Sequence, residues 1–195
     1  MAASSAPVYG HVITTDRLLL RPVSEADVEP LARLNADPEV YRYMSEGAPL
    51  SREQTWRSIA VYAGHGLIRG YSILSIEDRA SGRWLGRSGP WFPEGWPHLE
   101  VGWVVDPAVQ RRGIATEAAR ASLHYCFEVL GADWVCSLIR PGNQPSRRVA
   151  EKLGAIMERV DELMGGPVEV WAHRPNTLTH GPGDEAAWEG RRRQG

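Results

Sequence analysis

The stretch that decides the fold is Leu99-Glu-Val-Gly-Trp-Val-Val-Asp-Pro107, followed by Ala108-Val-Gln-Arg-Arg-Gly-Ile-Ala-Thr-Glu117. An apolar run enters Asp106-Pro107, crosses a loop holding Gly113, and changes to the period of a helix. Ala115, Ala119, Leu123, Cys126, Phe127 and Leu130 fall on one stripe, and Gly131 sits where a helix-ending glycine belongs. The first amides of such a helix have no intrahelical acceptor, so several N–H groups face outward together. Glycine permits close approach, the helix dipole favours negative charge, and Arg111 and Arg112 add cations, so the segment reads as an anion-binding turn. Competing phosphate signatures are missing. No G-x-x-x-x-G-K-[ST] occurs, and Gly64-x-Gly66 lacks the third glycine of a dinucleotide fingerprint.

Working outward, His11 to Val23 reads as one strand centred on Leu18, Leu19 and Leu20 and closed by Pro22. A helix follows, with Ser24 or Asp27 as its cap and Pro30 in its first turn. Ser51-x-x-Gln54 is a second capping box. It opens a helix expected to bury Trp56, Ile59, Ala60 and Ala63 and to stop at Gly64-His-Gly66. Strand signals at Tyr71 to Glu77, Trp84 to Phe92 and His98 to Val105 are separated by turn-rich segments, which predicts an antiparallel meander. After the central helix come a buried strand (Trp134 to Arg140), a short helix from Pro145 ended by Gly154, and strands over Ala155 to Glu162 and Val168 to His173. The order is βααβββαβαββ, a mixed α/β (α+β) domain over residues 12–174. Residues 1–11 and 175–195 lack periodicity and are expected to be mobile ends.

Composition agrees with one globular domain. The chain has 195 residues and a net charge of −2, which offers no general attraction for a polyanion, so nucleic acid is not an expected partner. No apolar run approaches the roughly 18 residues of a membrane span. The first basic side chain, Arg17, comes too late for a secretory leader, so a cytoplasmic, membrane-free protein is expected. Two cysteines, Cys126 and Cys136, make no disulfide framework. With no C-x-x-C or H-E-x-x-H spacing, no metal is expected.

Gln110-Arg-Arg-Gly113-Ile-Ala115 follows the pattern [QR]-x-x-G-x-[GA]. With Glu100-Val-Gly-Trp before it, and Pro141-Gly-Asn143-Gln-Pro-Ser146 and Glu151-Lys-Leu-Gly154 after it, the chain resembles the GNAT N-acetyltransferases over roughly residues 12 to 174. Thr15-Asp-Arg-Leu-Leu-Leu-Arg21-Pro and Asp37-Pro-Glu-Val-Tyr41 resemble the RimJ/RimL-like branch. The resemblance implies a mostly antiparallel sheet flanked by helices, with two central strands splayed apart to admit acetyl-CoA. Trp103, Val104 and Val105 would bond the pantetheine arm through their main chain. Gln110, Arg111, Arg112, Gly113, Ile114, Ala115 and Thr116 would hold the pyrophosphate, with Asn143 and Ser146 beside the pantetheine and thioester. The acceptor would be a primary amine, on a protein N-terminus or a small molecule.

An amine attacks a thioester only when unprotonated, so proton removal is a task for the site. Glu100 is the candidate base, placed by strand alternation on the face of Gly102 and Val104. A main-chain N–H near Val104 would stabilise the developing oxyanion. Many family members carry a tyrosine seven residues after the asparagine. Here that position is Ala150, which leaves Ser146 as the proposed proton relay. Blander readings stand beside these: Glu100 as a strand carboxylate paired with an arginine, and Asn143 and Ser146 as helix caps. Tyr41, Tyr43, Met44, Trp91, Phe92 and Trp96 read as packing residues more readily than as a substrate box. The missing tyrosine also admits a second function, an acyl-CoA-binding sensor or interaction module without turnover. A strand-rich C-terminal region is compatible with pairing into a homodimer.

Overall fold

The computed structural model describes residues 11–44 and 48–178. The run expected as one strand from His11 to Val23 is a hairpin, β1 (Ile13–Thr14) and β2 (Leu18–Pro22), with Ile13 opposite Leu20. Thr15 makes the reversal. Its N–H donates to Leu18 O at 2.9 Å and its Oγ1 accepts from Leu18 N–H at 3.0 Å, a side-chain bond that hydrophobic periodicity does not register. Alternation then buries Leu18 and Leu20 and turns Leu19 to the other face.

Ser24 opens a 3-10 turn over Glu25–Asp27, and the Asp27 carboxylate returns to the Ser24 N–H at 2.7 Å. Helix α1 (Val28–Asn35) follows, then a single extra turn, α2 (Pro38–Tyr41), capped by Asp37 on the Glu39 N–H at 2.9 Å. Helix α3 (Arg52–Arg69) starts at the Ser51–Gln54 box as expected but runs through Gly64 and Gly66 to Gly70, where φ is +80°. His65 holds the helix on course, because its ring is buried with Nδ1 2.9 Å from Tyr71 O. The buried face is Thr55, Ile59, His65 and Gly66, whereas Trp56 and Ala60 face solvent. The register is set by Thr55, whose hydroxyl accepts from buried Asn35 Nδ2 at 3.1 Å and turns Trp56 about 100° away.

The remaining elements are β3 (Leu74–Asp78), β4 (Trp84–Trp91), β5 (Glu100–Val105), α4 (Ile114–Glu128), β6 (Val135–Ile139), α5 (Gln144–Lys152), β7 (Ile156–Leu163) and β8 (Gly166–His173). They build one eight-stranded sheet of order β1-β2-β3-β4-β5-β6-β8-β7, with β5–β6 its parallel pair and all others antiparallel. The expected meander is β3-β4-β5. Helix α4 covers one face, packing Ala118, Ala119, Leu123 and Cys126 on Leu18, Ile76 and Val101. Its stripe also takes in Ser122, which belongs in a core because its hydroxyl donates to Ala118 O at 2.9 Å. Helices α1 and α3 cover the opposite face, where Val104 packs near Val28, Leu31 and Ile59. Val101 and Val104 therefore lie on opposite sides of β5, as strand alternation requires.

The packed chain extends past the expected boundary at residue 174. A turn from Arg174 buries Leu178 against Leu123 and Phe127 of α4's core. Residues 1–10 and 179–195 lie outside the described residues. Among the described residues no helix is long and apolar enough to cross a membrane.

Candidate active site

The site begins where two parallel strands part. Among the described residues β5 and β6 share one registered pair, Glu100 with Cys136, and the Cys136 N–H donates to Leu99 O at 2.9 Å. One step further, the gap is bridged by a side chain: Ser137 Oγ–H donates to Val101 O at 2.7 Å, with His173 Nε2 3.0 Å from the same hydroxyl. Beyond that plug the strands diverge. Leu99 and Val101 turn their carbonyls toward β6, so alternation turns the main-chain groups of Trp103 and Val105 the same way, into the opening. Val104 departs from expectation. Its carbonyl faces β4, where a Cβ on Gly86 would lie 2.3 Å from it, so its main chain is directed away from the opening and only its side chain lines the cleft.

At the end of β5, Asp106 accepts from the Ala108 N–H at 2.9 Å and starts a 3-10 turn over Pro107–Val109. Gln110, Arg111, Arg112 and Gly113 are exposed, and Arg111 and Gly113 adopt φ of +60° and +81°. The first helical bond of α4 runs from Glu117 N–H to Gly113 O at 3.0 Å. Among the described residues the amides of Arg111 to Thr116 have no main-chain acceptor, so this loop presents a cluster of bare N–H groups. The side chain of Ile114 is core, which leaves only its amide for a ligand. Arg17 braces the loop: its guanidinium donates to Arg112 O at 3.0 Å and to Glu117 Oε2 at 2.7 Å, while Thr15 Oγ1 lies 2.6 Å from Glu117 Oε1. The bracing also offsets the negative charge of Glu117 in a first turn that is to receive an anion.

Across the opening stands α5. Asn143 Oδ1 accepts from the Ser146 N–H at 3.2 Å, so the capping role is present, and both residues line the cleft as well. Glu169 holds the helix down by pairing with Arg147 and accepting from Trp171 Nε1–H at 3.0 Å. Burial alone would raise the Glu169 carboxyl, but these two donors outweigh it and hold the group below the ordinary range. Ala150 is fully buried among Ile139, Trp171 and Trp103, so this position is sealed inside the core and offers no side chain to the cleft.

Glu100, Trp103, Val104, Asn143 and Ser146 are brought together around one cleft of about 480 Å³, open to solvent and walled by Tyr43 and Tyr62. Glu100 is the acidic side chain of that lining. Burial is the main influence on it and pushes its carboxyl up to about 7, partly opposed by a hydrogen bond from Trp96, by the Leu138 main chain and by the charge of Arg87. Among the described residues it is in no ion pair, and the Trp96 indole Nε1–H donates to its Oε2 at 2.8 Å. Sequence reasoning left Trp96 among the packing residues and did not single out Arg87. The available signal for Trp96 was its place in Gly95-Trp-Pro97, a turn four residues before the candidate base. Cys126 and Cys136 are both buried, and burial drives their thiols well above the usual range.

Residues 17–156 match the acetyltransferase (GNAT) domain family. This chain belongs to that family. The curated relatives include the Bacillus subtilis proteins "Uncharacterized protein YkkB", 31% identical over 83% of this chain and 95% of its own, and "Uncharacterized N-acetyltransferase YnaD", 32% identical over 73% and 81%. Among solved structures, an acetyltransferase from Agrobacterium tumefaciens superposes with a TM-score of 0.76 at 26% identity, covering 84% of this chain and 94% of that one. The GNAT fold thus accounts for the parted strands and for the bare loop at the N-terminus of α4.

Proposed function

We propose that this GNAT protein transfers the acetyl group of acetyl-CoA to a primary amine by direct attack, with Glu100 as the base and no covalent enzyme intermediate. The observation that carries the reading is that the Glu100 carboxyl and the freed main chain of Trp103 front the same cleft. At pH 7 roughly a tenth of a free α-amino group is neutral, so a base that titrates near 7 is matched to the deprotonation required.

Acetyl-CoA supplies an activated acyl group as a thioester. Gln110 to Thr116 would hold its pyrophosphate on bare amides, and Trp103 and Val105 would bond its pantetheine arm, with Asn143 and Ser146 alongside. The Trp103 N–H replaces Val104 as the candidate donor to negative charge developing on the thioester oxygen. A thiol of ordinary pKa near 8.5 leaves with little help. With Ala150 sealed away, Ser146 is the side chain proposed to relay a proton. The RimJ/RimL-like assignment rests on the opening motifs. A structural neighbour named as a ribosomal L7/L12 α-N-protein acetyltransferase in complex with coenzyme A, 19% identical with a TM-score of 0.70, supports the fold. By analogy with its name, a protein N-terminus joins small amines as an acceptor class.

The test is thiol release from acetyl-CoA with a panel of amines. Turnover with any amine, lost in Glu100→Gln, supports the reading. Burial of Ala150 favours one alternative, a sensor that binds acyl-CoA without turnover, and tight CoA binding with no acceptor consumed would select it.

A further inference from the structure

Arg87 of β4 points into the same cleft. It is half-buried, with its guanidinium 5.5 Å from the centre of the Tyr62 ring. Among the described residues it makes no ion pair and no side-chain hydrogen bond. Half-burying five unmatched donors costs free energy that a single cation–π contact recovers only in part. The other cations of the lining are differently placed. Arg57 is matched by Glu53 at 2.5 Å, and Arg140 donates to Pro167 O at 3.1 Å and Met164 O at 3.0 Å. The lining therefore carries three arginines against one carboxylate, Glu100, which is itself only half ionised near neutral pH.

The placement of Arg87 relative to that carboxylate follows from register. Arg87 is opposite Val104 and Trp91 is opposite Glu100, so the two rows are four residues apart, about 13 Å of strand. Between them Gly89 faces Gly102. The nearest side-chain atom to a Cβ at Gly102 would be Glu100 Oε1, at 3.6 Å, so the floor beside the carboxylate is bare. A small molecule lying on that floor has a proton acceptor at one end and an uncommitted guanidinium at the other.

We propose that the acceptor is an amine that also carries an anionic group, a carboxylate or phosphate, and that Arg87 binds that group while Glu100 receives the proton of the amine. This rests on the acetyltransfer reading and narrows it. An amine that bears an anion is thereby favoured over a polycationic one, and the length of the amino acid is set by the span between Arg87 and Glu100. Arg87 fixes the substrate through a planar fork that suits two oxygens at once.

The experiment compares matched pairs: glycine with glycinamide, β-alanine with its amide, γ-aminobutyrate with its amide, and phosphoethanolamine with ethanolamine. An aspartyl and an asparaginyl dipeptide amide test a peptide-borne anion. Rates are taken near pH 9, where Glu100 is ionised with or without Arg87, and are referred to the unprotonated amine. The wild-type kcat/KM should favour at least one acid over its neutral partner by tenfold or more. Arg87→Gln should shrink that ratio about tenfold, Arg87→Lys should restore part of it, and Arg57→Gln should move it little. Simple carboxylates should compete with the acceptor and not with acetyl-CoA, a readout that needs no variant.

Equal use of acids and amides, an equal loss on both in Arg87→Gln, or a change confined to the KM of acetyl-CoA would overturn the proposal. Absence of turnover with every amine would instead overturn the acetyltransfer reading. In that case the CoA-loaded protein, titrated with N-acetyl amino acids and followed by thermal shift, still decides whether Arg87 binds a carboxylate.

Discussion

Trp96 and Glu100 are joined across the end of the β4–β5 turn: the indole Nε1–H donates to the carboxylate Oε2 at 2.8 Å. An indole can donate but cannot accept, so it favours the ionised form of its partner. Glu100 is thus held between two opposing influences, burial that raises its pKa and a fixed donor that limits the rise.

Replacing the donor should show this directly. Trp96→Phe keeps the ring and removes the N–H, so the Glu100 carboxyl should titrate above its present value of about 7. The acid limb of the kcat/KM profile should move toward alkaline pH, with turnover at high pH largely retained. An unmoved limb would separate Trp96 from the base.

Glu100→Gln removes the ionisable group and leaves an amide of similar shape. Binding of CoA should survive, because the pyrophosphate loop is at the far end of β5. Turnover should fall, most severely at low pH, where few acceptor molecules are already neutral. Retained rates in single-turnover measurements would remove Glu100 from the mechanism.

The parts legible in the sequence were those encoded by local patterns. The meander, α4, the Gly113 loop and the facing of Glu100 followed from alternation, helical period and turn residues. The hairpin at Thr15, the persistence of α3 past Gly64, and the orientation of the Val104 main chain depend on single hydrogen bonds or on which neighbour a strand pairs with. Arg87 and Trp96 were hidden for a related reason. An arginine on a strand reads as solvated, and an indole in a turn reads as packing, until the fold brings both to the cleft that holds Glu100.

Gly113→Ala tests the loop. At φ of +81° a side chain is strained, and its Cβ would lie 3.3 Å from the Arg17 guanidinium that braces the loop. The substitution should cost about 1–2 kcal/mol of stability. The larger effect should be on ligand. In the wild type, CoA at about 100 times its Kd should add about 2.7 kcal/mol in urea unfolding, and the variant should lose most of that gain at the same concentration. Full retention would show that the left-handed turn is not required for the bare amides to hold a diphosphate.

A last prediction concerns buried His173 and half-buried Glu100, which flank the parting of β5 and β6 and respond to pH in opposite senses. Ser137 spends its proton on Val101 O, so it must accept from His173, which fixes the ring as the Nε2–H tautomer. Nδ1 is then a buried lone pair with no partner among the described residues, and burial lowers the ring's pKa to about 4. Between 6.5 and 4 the unfolded chain takes up a proton that the native ring refuses, so this histidine's contribution to stability is lost as pH falls through that range. Glu100 does the reverse. Its native carboxyl binds a proton near 7 and its unfolded one near 4.5, so it costs stability at high pH and the cost is relieved as pH falls. Each effect is on the order of 3 kcal/mol at most, and over their shared range they oppose one another. The wild type should therefore show a shallow dependence of unfolding free energy on pH from about 6.5 to 4.5. Glu100→Gln should be more stable than wild type at pH 8 and should expose a steep loss on acidification. His173→Gln, which keeps a donor for Ser137, should instead gain stability as pH falls from about 7 to 4.5. Parallel urea titrations of the three proteins across this range decide the matter, and superimposable pH profiles would show that neither group titrates as its burial requires.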